Sequence, residues 1–300
     1  MERPSSLVLC CDLDAFFYQV ELLRDPTIGG KPVAIQQHSE IICANYEAKA
    51  AGVRKRMSSA DCRALLGPLG GINVHVHTEP GGRVSYLPYQ KASADFFRLL
   101  RALPWAGAVV EKGSIDEAYI GISVGAQEAA PTAAAGRALA QQLRDRVQQE
   151  LGLAASVGVA PNRLLAKLAS RLAKPPASGV HVLWTAEEVD AALGACPPSR
   201  LPGLGGKAGG GLAALGAASA LDMRRFSAAE LERALGLPPE KAAKIWGFCR
   251  GLDDTPVVDR GPPQSLSVQM SLSPVELPMH PSASRGVPVG GGPPGEAAAP

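Results

Sequence analysis

The chain has 300 residues, 46% of them hydrophobic and 19% charged, which suits a globular protein that buries a core in two or three domains. Thirty Lys and Arg stand against 28 Asp and Glu, a net charge of +2, so bulk charge announces no nucleic-acid partner and any basic footprint must be local. No apolar run approaches the ~18 residues of a membrane span, Met1 to Ser6 lacks a signal-peptide layout, and the six cysteines form no CxxC pair or zinc spacing, so reduced core thiols in an intracellular protein are expected.

The apolar run Leu7 to Cys11 reads as a strand ending on Asp12. Ala15 to Arg24 carries Phe16, Val20 and Leu23 at helical spacing and is closed by Asp25-Pro26. Strand-like stretches follow at Pro32 to Gln36 and Ile41 to Cys43, then a helix-prone segment from Tyr46 to Ala51, stopped by Gly52. His75 and His77 alternate along a possible strand, with no third ligand type nearby, and are read as incidental. After a loop from Pro80 to Pro88, Tyr89 to Leu103 has the apolar spacing of an amphipathic helix. Ala108 to Val110 and Ile115 to Ile122 read as strands joined by a turn at Lys112-Gly113. Ala133 to Leu151 is a long helix, Ser156 to Ala160 a strand, and Asn162 can cap a helix from Arg163 to Ala173. This order predicts an α+β layer, a mixed sheet backed by helices. Beyond Lys174-Pro175-Pro176, short helical pieces alternate with Gly and Pro breaks up to Gly251, a small all-helical unit; Gly286 to Pro300 is Gly/Pro/Ala low complexity, expected to be disordered.

Candidate chemistry lies in the acids. Asp12-Leu13-Asp14 ends an apolar strand, where alternate side chains share a face, although a DxD is also an ordinary strand-end cap. Asp116-Glu117 opens the strand after the hairpin turn. Strand alternation sends two adjacent side chains to opposite faces, so both reach one site only if the backbone bends beside Gly113. Acids drawn together repel one another unless cations lie between them, and oxygen-only ligands select hard ions such as Mg²⁺ or Mn²⁺. Arg163, Lys167, Arg171 and Lys174 recur at spacings of four, four and three, on the helix face opposite Leu164, Leu168 and Leu172. No acid lies between Arg163 and Lys174, which favours phosphate contact over a solvated face. Leu201 to Lys207 has the look of a helix-hairpin-helix turn, whose glycines let backbone amides approach a DNA phosphate.

Taken together, Asp12 to Phe17, Asn45 to Lys49 with Gly52-Val53, Ser114 to Tyr119, Gly158 to Lys167 with Lys174-Pro175, and Leu201 to Lys207 resemble, in order and spacing, the motifs of Y-family translesion DNA polymerases. Gln36-Gln37 and Gly261 to Ser265 resemble the polymerase iota branch. The resemblance implies a right-hand polymerase core: a ferredoxin-like palm from 1–15 and 81–174, small fingers from 16–80, an all-helical thumb from 175–259, and a linker and tail from 260–300 without the family's little-finger domain. It implies DNA-directed DNA polymerase activity on primer-template DNA and dNTP, with nuclear localisation and recruitment by a replication clamp through regions not seen in this sequence. The alternative is a catalytically impaired DNA-binding or scaffold paralogue of the same fold.

By the same resemblance Asp12, Asp116 and Glu117, with the Leu13 carbonyl, hold two Mg²⁺ or Mn²⁺ ions. Backbone amides at Ala15, Phe16 and Phe17 cradle the triphosphate, Phe17 is the steric gate against a ribose 2′-hydroxyl, and Tyr46, Lys49 and Lys174 contact the triphosphate. Arg163, Lys167, Arg171, Gly203, Gly205 and Lys207 contact DNA. Three positions depart from the family pattern: Lys49 and Gln90 each replace an Arg, and Gly121 stands where an Asp usually follows the acidic motif.

Overall fold

The computed structural model describes residues 6–123, 130–205, 211–212 and 215–261, and the architecture below lies within the compact unit Met1–Arg260. Lys207 and the expected tail beyond Gly261 fall outside the described residues.

Two sheets organise the molecule. The larger has the order β5-β6-β1-β7-β8, built from β1 (Ser6–Leu13), β5 (Ala108–Lys112), β6 (Glu117–Ser123), β7 (Ala155–Ala160) and β8 (Val180–Val182). Its pairs are antiparallel except for β7 with β8, which run parallel. The smaller has the order β3-β2-β4, from β2 (Val33–Gln37), β3 (Glu40–Ala44) and β4 (Ile72–His75), with α2 (Tyr46–Ala50) and α3 (Ser59–Leu66) around it. The fold is therefore α+β, with a mixed palm sheet, as the motif order predicts.

Alternation along β1 divides the palm core. Leu7, Leu9, Cys11 and Leu13 face a cluster shared with α1 (Phe16–Arg24), α4 (Leu87–Arg101) and α5 (Ala133–Leu151). Val8 and Cys10 face the opposite way, into a cluster with α6 (Arg163–Leu172) and the helical unit of α7 (Ala186–Gly194), α8 (Ala228–Leu235) and α9 (Pro239–Phe248). The vicinal cysteines thus end on opposite sides of one sheet, and burial pushes the Cys10 thiol up to about 12. All six cysteines are free, and Cys43 alone among them is not fully buried.

The helix starts follow from local chemistry. Asn162 caps α6 by accepting the Leu165 N–H at 3.0 Å, and Asp253 accepts the neighbouring Leu164 N–H at 3.0 Å. Thr185 and Ser227 open α7 and α8 with reciprocal capping boxes to Glu188 and Glu230. Gly158 sets how closely α6 approaches the sheet, because a Cβ there would lie 2.1 Å from both the Ala166 carbonyl and the Ser170 nitrogen.

Two elements differ from the sequence expectation. Val180–Val182, placed beyond the palm boundary at Lys174, pairs with β7 and carries the palm sheet past that boundary. The segment after Gly52 holds the extra helix α3, started by Ser58 accepting the Asp61 N–H at 3.1 Å.

Candidate active site

The antiparallel register of β1 and β6 sets Asp12 directly opposite Glu117, so the two carboxylates share the sheet face that α6 covers. Ser114, Ile115 and Asp116 form a bend between the strands, and the Gly113 and Ser114 N–H groups both donate to the Glu117 carbonyl at 2.9 and 3.0 Å. That bend is the one alternation demands if both acids are to serve one site. Asp116 joins the end of β1 through its carbonyl, which accepts the Leu13 N–H at 2.9 Å, while Ser114 Oγ donates to its carboxylate at 2.5 Å.

Two ammonium groups stand between the acids. Lys167 Nζ lies 2.8 Å from Asp12 Oδ2 and pairs also with Glu117; Lys174 Nζ lies 2.7 Å from Asp12 Oδ1 and 3.2 Å from Asp14 Oδ1. Burial alone would raise the Asp12 carboxyl, but Lys167 and Lys174 hold it below the usual carboxylate value. Burial likewise works to lower both lysines, and the acidic surroundings outweigh it and push them upward. Asp14 is itself buried and fully partnered, accepting Tyr46 Oη at 2.8 Å and Ser156 Oγ at 2.9 Å.

Asp12, Asp116 and Glu117 offer oxygen donors only, the set that a hard divalent cation prefers. Asp12 and Glu117 are like charges at directly opposed positions, an arrangement that destabilises a strand pair unless positive charge is supplied, and Lys167 supplies it here. Among the described residues, no three His, Cys, Asp or Glu side chains are gathered as a ready-made cluster. The physical reasons are visible: the two ammonium groups fill the gaps, and Asp116 turns to Ser114.

Tyr46 opens α2 beside these acids and Lys49 follows in its last turn, with Lys49 Nζ 4.6 Å from the Tyr46 ring centroid. Burial and then the Asp14 carboxylate push the Tyr46 phenol upward, so it stays a neutral donor. Ala15 begins α1 in the left-handed region (φ 43°) with no side-chain cap. The Phe17 and Tyr18 amides face the Cys43 thiol, whose upward shift by burial they and Lys49 moderate. Cys43 reaches this helix start from β3, a placement that nothing local in residues 15–18 reveals. The Phe17 ring packs 4.7 Å from Tyr89 and 6.1 Å from Tyr86.

The basic row on α6 is divided by its surroundings. Lys167 and Lys174 turn to the acids, Arg163 pairs with the buried Glu111 at 3.2 Å and lies over the Tyr119 ring, and Arg171 donates to the Arg200 carbonyl at 3.1 Å. Acids absent from the helix itself arrive from β1, β5 and β6. A cavity of about 210 Å³ remains between α6 and the loop after α7, lined by Arg163, Lys167, Arg171, Arg200, Tyr119 and Asp253 among others. Buried Leu201 and Leu204 anchor that loop, and Gly203 takes φ 84° within it. A Cβ at Gly205 would meet open space.

The departures have physical readings. Gly121 receives Val257 so closely that a Cβ would lie 2.9 Å from that side chain, which excludes an aspartate without displacing the segment after α9. Gln90 is exposed on α4, whereas Tyr89 is buried with its hydroxyl on Glu21 and the His77 N–H. His75 and His77 take separate partners, the Val76 carbonyl and Arg24.

Residues 11–171 match the impB/mucB/samB family. The chain is 32% identical over 266 residues to DNA polymerase IV of Pseudomonas putida (strain GB-1), covering 87% of this chain and 69% of that protein. It is 30% identical over 275 residues to DNA polymerase IV of Pseudomonas fluorescens (strain Pf0-1), covering 90% and 71%. Among solved structures it resembles DinB from Sulfolobus solfataricus, with TM-score 0.66 and 26% identity over 84% of this chain and 69% of that one. It also resembles a Y-family DNA polymerase chimera, Dbh-Dpo4(243-245)-Dbh, with TM-score 0.67 and 25% identity over 85% and 70%. With a family match over residues 11–171 and relatives about a third identical along most of its length, the chain belongs to the impB/mucB/samB family of Y-family DNA polymerases.

Proposed function

We propose that this translesion DNA polymerase transfers a deoxynucleotide from dNTP to a primer 3′-hydroxyl at Asp12, Asp116 and Glu117, with primer-template DNA as its second substrate. The observation that carries the reading is the cross-strand opposition of Asp12 and Glu117, with Asp116 tied to the adjoining Leu13 amide. Asp12, Asp116, Glu117 and the Leu13 carbonyl would hold two Mg²⁺ or Mn²⁺ ions, which when bound activate the 3′-hydroxyl and neutralise charge on the departing pyrophosphate.

The chain's own residues do the remaining work. Tyr46, Lys49 and Lys174 bind the triphosphate, two of them already meeting at Asp14. Amides at Ala15, Phe16 and Phe17 offer donors at a helix start, where anions are favoured. Phe17, held by Tyr86 and Tyr89, limits room at the sugar. Arg171, Gly203 and Gly205 face DNA phosphates along the α6 side, with Lys207 as a further candidate, whereas Arg163 is held by Glu111 and Lys167 by Asp12 and Glu117.

Gln36-Gln37 and Gly261 to Ser265 support placement near the polymerase iota branch. Nuclear localisation and a replication-clamp partner rest on the family resemblance. The second reading, an impaired DNA-binding paralogue, draws no support from the acids, all three of which are present.

Primer extension with Mg²⁺ or Mn²⁺ tests the site. Asp116→Ala is expected to lose incorporation by about a thousandfold, the scale of removing one group that stabilises transition-state charge. Unchanged activity in that variant removes Asp116 from the mechanism, and DNA binding without incorporation under either metal favours the paralogue reading.

A further inference from the structure

Asp12 and Glu117 would repel one another at the open end of the β1–β6 pair, and Lys167 lies in the position that prevents it. Its ammonium bridges them from α6, 2.8 Å from Asp12 Oδ2, with its side chain only 21% exposed. This placement is fixed by the fold. Asn162 and Asp253 hold the first turn of α6, and Gly158 lets the helix backbone pack directly on β7. Lys174, just beyond the same helix, takes the other oxygen of Asp12. Both oxygens of that carboxylate are therefore engaged by ammonium.

We propose that Lys167 is a built-in counter-cation: it holds Asp12 and Glu117 together in the metal-free protein and must withdraw for a divalent ion to bind, so that it sets the apparent metal affinity of the site. The inference rests on the metal reading given above. A doubly charged ion attracts the same carboxylates more strongly than a single ammonium does, and a lysine suits the exchange because its flexible stem carries a compact charge that can swing aside. The affinity seen for metal is then reduced by the fraction of molecules in which Lys167 already occupies the carboxylates. An arginine there would grip with a planar two-pronged fork and yield less readily.

The test is thermal unfolding of the full chain in EDTA and across a Mg²⁺ titration, without DNA or nucleotide, for wild type, Lys167→Gln and Lys167→Arg. Lys167→Gln is expected to melt below wild type in EDTA, to recover most of that deficit at saturating Mg²⁺, and to reach its midpoint at about tenfold lower Mg²⁺. Lys167→Arg is expected to keep the EDTA melting temperature and to need more Mg²⁺ than wild type. A Lys167→Gln deficit that persists undiminished at saturating Mg²⁺, with an unchanged midpoint, makes Lys167 a structural ion pair and overturns the counter-cation alone. A wild-type chain with no Mg²⁺-dependent rise, matched by Glu117→Gln, overturns the metal reading and the inference with it.

Discussion

Asp14 shows how much a single buried carboxylate can organise. It accepts from Tyr46 on α2, from Ser156 on β7 and from Lys174 beyond α6, joining three elements that are distant in sequence. Asp14→Ala leaves the Tyr46 and Ser156 hydroxyls without their shared acceptor in a largely buried place, and Lys174 with Asp12 as its remaining partner, which should cost about 2–4 kcal/mol. Asp14→Asn retains an acceptor oxygen and should cost about half as much. Urea unfolding of the two variants checks the ranking; equal losses would show that charge, not hydrogen bonding, is what these donors require. Residue-level legibility was uneven for a related reason. Asp12, Asp116 and Glu117 stand out in sequence because acids beside apolar strand residues are conspicuous. The roles of Asp14 and Lys167 were hidden, since what defines them lies on other elements, 155 residues away for the Lys167–Asp12 pair.

Elements were legible where their own residues carry the signal. The spacing of α5 predicts Ala133 to Leu151, and the observed helix has those bounds. By contrast β8 has three residues, too few to show alternation, and exists because it completes the palm sheet against β7. The helix α3 buries only Cys62 and Leu66, so its apolar stripe is thin, and the Ser58–Asp61 cap was its readable mark. The seam between β7 and α6 is the element contact on which the site depends, and Gly158 tests it. Gly158→Ala puts a methyl group where α6 backbone atoms lie, with no flexible side chain able to give way. A loss of about 3 kcal/mol or more is expected, at or above the usual cost of overpacking. Lys167 would move with the helix, so Mg²⁺ stabilisation should change along with the melting temperature. A stable Gly158→Ala chain with wild-type Mg²⁺ response would mean that α6 does not need this approach.

At the scale of the whole molecule, charge is distributed rather than accumulated. A net charge of +2 gives little long-range attraction for DNA, so binding must draw on local cations. The cavity beside α6 concentrates four of them against Asp253. Within that set, Lys167 is engaged by Asp12 and Glu117 and Arg163 by Glu111, whereas Arg171 and Arg200 are exposed, with Arg171 bonded to a neutral carbonyl. The latter two should carry the phosphate contacts on this side. Each phosphate neutralised on duplex DNA contributes about 0.9 to the slope of log affinity against log salt concentration. The double variant Arg171→Gln, Arg200→Gln should therefore bind primer-template DNA more weakly at low salt, with a slope smaller by about 2. Fluorescence anisotropy across a salt series measures it. A slope that falls by the expected amount, with the Mg²⁺-dependent melting unchanged, separates Arg171 and Arg200, which grip DNA, from the cations that serve the carboxylates. An unchanged slope would instead place the phosphate contacts elsewhere on the chain, and the cavity beside α6 would lie off the DNA path.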